Sequence, residues 1–212
     1  MITISAFRRV PPFAQGLVRD MRLRWALEEA GLPYRVRLID PEIQASAEYR
    51  ALQPFGQVPV FEEDGLGLFE SGSILLHIAA RSETLLPADP AKRARAVTWV
   101  FAALNSMEIR IEPLAGIDLF HADKAWAKER RPEAEAAVKR RLADLAFWLG
   151  DRDYLEDSFT AGDLMMTTVL RVLRHTDLVK EVPRLAAYQA RCEARSAFKR
   201  ALAAHMADLG LA

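Results

Sequence analysis

The 212-residue chain has one cysteine, Cys192. A single cysteine forms no internal disulfide, no CxxC redox pair and no thiolate zinc cluster. Excess charge is missing too: 29 Lys and Arg stand against 29 Asp and Glu. A neutral chain has no overall field drawing it to nucleic acid or to an anionic membrane. The basic runs Lys128–Arg131 and Lys139–Arg141 therefore read as solvated helix faces or loop ends. No apolar run approaches the ~20 residues of a membrane span. No apolar stretch near the start precedes a small-residue cleavage site, so a secretory signal is not expected and a cytoplasmic location is. The four histidines, His77, His121, His175 and His205, show no ligand spacing, so no metal is expected. Apolar residues make up 51% of the chain, which excludes disorder and suffices for a substantial core.

What is present divides into a mixed half and a helical half. Ile2, Ile4 and Ala6 alternate with polar residues and read as a strand. A loop over Arg8–Gln15 follows, then a helix over about Leu17–Ala30, stopped by Gly31 and Pro33. Tyr34–Ile39 reads as a second strand and Pro41–Leu52 as a weakly helical connector. Val58–Glu62 and Leu66–Phe69 read as a hairpin across Asp64-Gly65. Ser71–Arg81 carries an apolar helical face. Beyond the connector TLLPADP the periodicity is helical throughout, over Ala91–Glu112, Pro132–Leu149, Ala161–His175, Val182–Ala194 and Ala197–Leu209. Thr160-Ala161-Gly162-Asp163 fits a capping box, with Phe159 and Leu164 placed as a hydrophobic staple.

The chemistry-bearing stretch is Pro54–Arg81. Val58-Pro59 precedes a strand, where proline removes a ladder donor and fits an edge, a bulge or a cis bond. A cis bond would turn the preceding N–H and C=O toward a peptide-like ligand. Glu70-Ser71 lies where a strand passes into a helix. Taken alone, the pair reads first as a helix cap. It also suits an amino-acid head group: helix N–H groups and a hydroxyl for the carboxylate, Glu70 for the ammonium.

The combination of PFGQVPVFEEDG, ESGSILLHIA, LLPADP, FTAGD and RWALEEAGLPYRV resembles the glutathione S-transferase family along nearly the whole chain. The resemblance implies an α/β thioredoxin-like N-terminal domain over 1–82 and an all-α C-terminal domain over 90–212. It implies that Val58 pairs its backbone with the cysteinyl part of glutathione, with Pro59 cis. Glu70 and Ser71 would hold the γ-glutamyl head, and Gln57 would stand near the glycyl end, with Gln53 a neighbour. Phe13, Trp99, Leu104 and Met107 are candidate walls for a hydrophobic electrophile, although spacing alone places all four in a core. Glutathione is expected as co-substrate without a metal, and a homodimer is expected by family habit.

One departure is sharp. Family enzymes place a Tyr, Ser or Cys near the first strand–helix junction, and here those positions fall on Phe13 and Leu17. Neither side chain donates a hydrogen bond. Lowering a free thiol by ~2 pKa units needs about 2.7 kcal/mol. A helix N-terminus contributes up to ~2 kcal/mol and one charge-assisted hydrogen bond about 1.5–3 kcal/mol. Backbone N–H groups at Leu17 and Val18 with one helper, Gln15 or Arg19, would therefore suffice. Each helper also has a plain reading, as a loop residue or a solvated helix arginine. The expected activity is delivery of the glutathione thiolate to an electrophile. The alternatives are a non-catalytic or regulatory binding protein of the same fold, or a glutathione-dependent isomerase or disulfide reductase. Cys192 and His77 read as buried or packing residues.

Overall fold

The computed structural model describes residues 1–211. Packing gathers residues 1–88 and 195–211 into one unit and 89–194 into a second. The first unit is built on strands β1 (Ile2–Phe7), β2 (Tyr34–Ile39), β3 (Phe61–Glu63) and β4 (Leu66–Leu68), in the sheet order β2-β1-β3-β4. β1 and β2 run parallel, in register from Ile2 opposite Tyr34 to Phe7 opposite Ile39. β3 is antiparallel to β1, and β4 to β3. The crossover between the parallel strands is helix α1 (Asp20–Ala30), ended by Gly31 at φ 65, a conformation that suits glycine. The connector forms two short helices, α2 (Pro41–Ala45) and α3 (Ala47–Leu52), capped by Asp40 and Ser46. Helix α4 (Ser71–Ala79) follows β4. Leu23, Leu27, Ile74, Leu75 and Ile78 are buried on α1 and α4, which pack together, and Ile4 of β1 is buried as well. This is the expected thioredoxin-like arrangement.

The second unit is helical: α5 (Pro90–Ala102), a wide π turn over Ala103–Glu108, α6 (Ile109–Phe120), α7 (Ala125–Leu149), α8 (Ala161–Leu170) and α9 (Pro183–Glu193). Every residue of α8 is buried. Its start is the expected capping box. The Asp163 carboxylate accepts from the Thr160 N–H at 2.9 Å, the Leu155 N–H at 2.9 Å and the Tyr188 hydroxyl at 3.0 Å. The Thr160 hydroxyl accepts from the Gly162 N–H at 3.2 Å. Burial pushes the Asp163 carboxyl up, against the pull of these donors. Gly162 is required here: a Cβ on it would lie 2.4 Å from Cβ of Trp99 on α5.

Four local expectations shift. The first helix begins at Asp20, because Gln15–Arg19 winds into turns instead. The helix expected to stop at Glu112 resumes through Pro113 to Phe120, since Ile111, Leu114, Ala115 and Ile117 are buried and packing outweighs one lost backbone donor. The helix expected to begin at Pro132 begins at Ala125. The preceding AWAKERR is rich in good helix formers, and Arg131 is anchored to Asp118 at 2.7 Å. The final helix, α10 (Ser196–Asp208), belongs by packing with the first unit, not with the helical one that it follows in the chain. Phe198 meets Trp25 edge-on at 4.9 Å, and Arg195 grips Glu29 at 2.6 and 2.8 Å. Arg24 is buried between Asp20 at 2.7 Å and Asp208 at 2.6 Å.

Candidate functional site

The Val58-Pro59 bond is cis. Val58 is buried with Ile39, Tyr49 and Val60 in one apolar cluster, so the segment is fixed from beneath. Polar groups fix it from both sides. The Val60 N–H donates to Ser5 Oγ at 2.8 Å, and the Tyr49 hydroxyl donates to the Gln57 carbonyl at 2.6 Å. Ser5 Oγ and Tyr49 Oη lie 2.9 Å apart. A phenol has one proton, and the carbonyl takes it, so Ser5 donates to Tyr49. Burial holds the Tyr49 phenol above its ordinary value, which keeps that proton in place. Among the described residues, no backbone partner takes the N–H or C=O of Val58. The Gln57 side chain is exposed next to it. Gln53 is buried and accepts from the Phe55 N–H at 2.8 Å, a turn-forming role.

Glu70 and Ser71 sit at the start of α4. Glu70 is exposed at φ 68, a backbone region that costs a non-glycine residue about 1–3 kcal/mol and that gathers at functional sites. Its side chain does not cap the helix. The N–H groups of Ser71, Gly72 and Ser73 thus have no intrahelical acceptor and carry the positive end of the helix dipole. Ser71 is buried, and its Oγ accepts from Nη1 of Arg22 at 3.0 Å.

The junction before α1 is a one-turn 3-10 segment, Pro12–Ala14, and then turns. Phe13, Gln15 and Arg19 are half-buried. Val18 packs on the Val58 cluster, which ties this junction to the cis-proline segment. The Leu17 N–H donates to the Ala14 carbonyl at 2.9 Å, so it is spent within the turn and does not serve as the expected thiolate donor.

The other three expected wall residues lie in the helical unit. Trp99 is half-buried, meets Trp148 in a tilted ring contact at 5.3 Å and donates to Glu156 at 2.8 Å. Met107 is buried and Leu104 half-buried, both in the π turn. Cys192 is buried in α9. His77 packs on Phe61 at 5.2 Å and lies 3.1 Å from an Arg81 nitrogen. Among the described residues no three potential metal-ligating side chains cluster, and no helix is long and apolar enough to cross a membrane. Three contributors were not singled out from sequence. Ser5 and Tyr49 are 44 residues apart, and Arg22 and Ser71 are 49 apart, so no local pattern announces either pair.

The family model described as "Glutathione S-transferase, N-terminal domain" matches residues 15–80. A glutathione S-transferase of Hyoscyamus muticus is 30% identical over 202 residues, covering 86% of this chain and 92% of the relative. A maleylacetoacetate isomerase of Rhizobium meliloti is 32% identical, covering 85% and 89%. Among solved structures, a glutathione transferase from Burkholderia graminis, with two glutathione molecules bound per subunit, superposes with a TM-score of 0.82 at 25% identity, covering 95% of this chain and 87% of that one.

Proposed function

The chain belongs to the glutathione S-transferase family, and we propose that it binds glutathione in its first unit and delivers the thiolate to a hydrophobic electrophile. The observation that carries this reading is the pairing, in one unit, of a rigidly held cis Val58-Pro59 segment with the uncapped α4 N-terminus. The Val58 N–H and C=O would bond the cysteinyl residue as an added strand does. Ser71 and the α4 N–H groups would take the γ-glutamyl carboxylate, Glu70 its ammonium, and Gln57 the glycyl end. The thiol proton passes to solvent. The sulfur lone pair then forms the new bond to the electrophilic atom as that atom's bond to its leaving group breaks, the leaving group departing with the bonding pair, as in nucleophilic displacement generally. With Leu17 spent, the Gln15 amide or the Arg19 guanidinium would stabilise the thiolate. The active form would be a cytoplasmic homodimer, with no metal.

A second reading is favoured by one observation, the apolar side chains at Phe13 and Leu17. It keeps glutathione binding but replaces conjugation with isomerisation, thiol–disulfide reduction or a binding role without turnover. Calorimetric titration with glutathione tests the part common to both. Glu70→Ala should weaken binding at least about tenfold, the loss of one hydrogen bond to a charged group. Unchanged affinity would remove the assigned head-group contact.

A further inference from the structure

We propose that the hollow between α6 and α7 is a further ligand site, built to take a small planar aromatic carboxylate. It lies within the second unit and does not depend on the glutathione reading. Its volume of about 450 Å³ falls in the range of small-molecule sites, ~300–1,000 Å³. None of Phe13, Trp99, Leu104 and Met107 lines it. Helices α6 and α7 pack together, but Gly116, Ala134 and Ala137 are too small to fill the space beside them. A glycine inside a helix destabilises it relative to alanine. At Gly162 there is a packing reason, since a Cβ would strike Trp99. At Gly116 there is none: a Cβ there meets nothing within 4 Å outside its own helical turn.

The walls carry two guanidiniums, Arg110 of α6 and Arg130 of α7, against one carboxylate, Glu133. Among the described residues, none of these three side chains has a hydrogen bond or an ion pair. Asp118 and Glu135, on the same two helices, are taken up by Arg131. The surplus is one positive charge, which matches a monoanion, and a guanidinium fork fits the two oxygens of a carboxylate. The body of the ligand is set by the rings. The Trp126 indole is 45% exposed and meets the His121 ring at 5.2 Å, tilted by 52°. Ile109 and Pro113 line the α6 side. An aromatic body gains ring contacts as well as burial against such a wall.

The test titrates the protein with 2-naphthoate and with its uncharged counterpart, 2-naphthalenemethanol, by calorimetry at low salt. The acid should bind saturably at about 0.1–1 mM, the affinity open to a ligand of this size, and the alcohol about tenfold more weakly. Arg110→Gln and Arg130→Gln should each weaken the acid about three- to tenfold and leave the alcohol unchanged, the modest effect of exposed charges. Gly116→Leu puts a side chain into the hollow. It should keep the fold in thermal melting and weaken both compounds about tenfold or more. Equal affinity for acid and alcohol would overturn the inference, as would no saturation by the acid up to about 10 mM. Binding of the acid that none of the three changes weakens would place it elsewhere in the chain and overturn the inference too. Sedimentation tests the other occupant: a dimer that Gly116→Leu dissociates, with no binding of the acid, would give the hollow to a second copy and overturn the inference. If Gly116→Leu does not fold, the two exposed arginines decide. Weakening of the acid alone in either variant supports the inference, and weakening in neither overturns it.

Discussion

Tyr49→Phe isolates the polar brace beneath the cis-proline segment. The ring stays, so the apolar packing with Ile39, Val58 and Val60 is unchanged. The oxygen goes, and with it the 2.6 Å bond to the Gln57 carbonyl and the 2.9 Å bond from Ser5. Each bond contributes about 0.5–1.5 kcal/mol net, and a buried group left unsatisfied costs about 1–3 kcal/mol. The Gln57 carbonyl belongs to an exposed residue and water can take it up. Ser5 is 1% exposed, and its proton has no such recourse. The net loss should be about 2–3 kcal/mol. Urea unfolding measures it as a lower midpoint at constant slope, the signature of changed stability without changed compactness. Glutathione affinity should fall as well, since Gln57–Val60 is the segment before β3 that would receive the peptide. A loss below about 0.5 kcal/mol would refute the assignment of protons along the Val60–Ser5–Tyr49–Gln57 chain.

Gly162→Ala should destabilise the helical unit by about 1–3 kcal/mol despite the better helix propensity of alanine, because the new methyl meets Trp99 Cβ at 2.4 Å. Thermal melting checks this, and a gain in stability would contradict the tight packing of α8 on α5. Gln15→Ala and Arg19→Ala should separate binding from chemistry: the residue that stabilises the thiolate lowers kcat about tenfold or more with glutathione affinity kept, and the other leaves kcat unchanged. If neither lowers kcat, the stabilisation rests on backbone donors other than Leu17.

The parts of the fold that were legible from sequence are those set by neighbours in the chain. Thr160 and Asp163 are three residues apart, so their reciprocal capping can be read directly, and the same holds for Asp89 capping α5 through the Lys92 N–H at 2.8 Å. Proline misled in both directions. Pro113 and Pro132 look like a stop and a start, but buried side chains on either side carry the helix past each. The apolar period of α1 extends back to Leu17, yet Pro11, Pro12 and Gly16 turn the chain there and delay the helix to Asp20. The assignment of α10 to the first unit depends on Trp25–Phe198 and Glu29–Arg195, contacts that cross more than 160 residues and leave no trace in a local pattern. At the candidate site, Val58, Pro59, Glu70 and Ser71 stand out in the sequence because a known motif carries them. Ser5, Tyr49 and Arg22, which hold them in place, are ordinary members of a strand and two helices until the chain folds.

The most direct single measurement is a titration of the folded protein with glutathione at pH 7, followed by difference absorbance near the thiolate band at about 240 nm, where a free thiol of pKa about 8.5 contributes only a few per cent. A saturable rise, showing that bound glutathione is ionised, would confirm that a chain with one buried cysteine of its own works on sulfur brought by its ligand. Saturable binding with no rise would contradict thiol activation at this junction, and no binding at all would contradict the site.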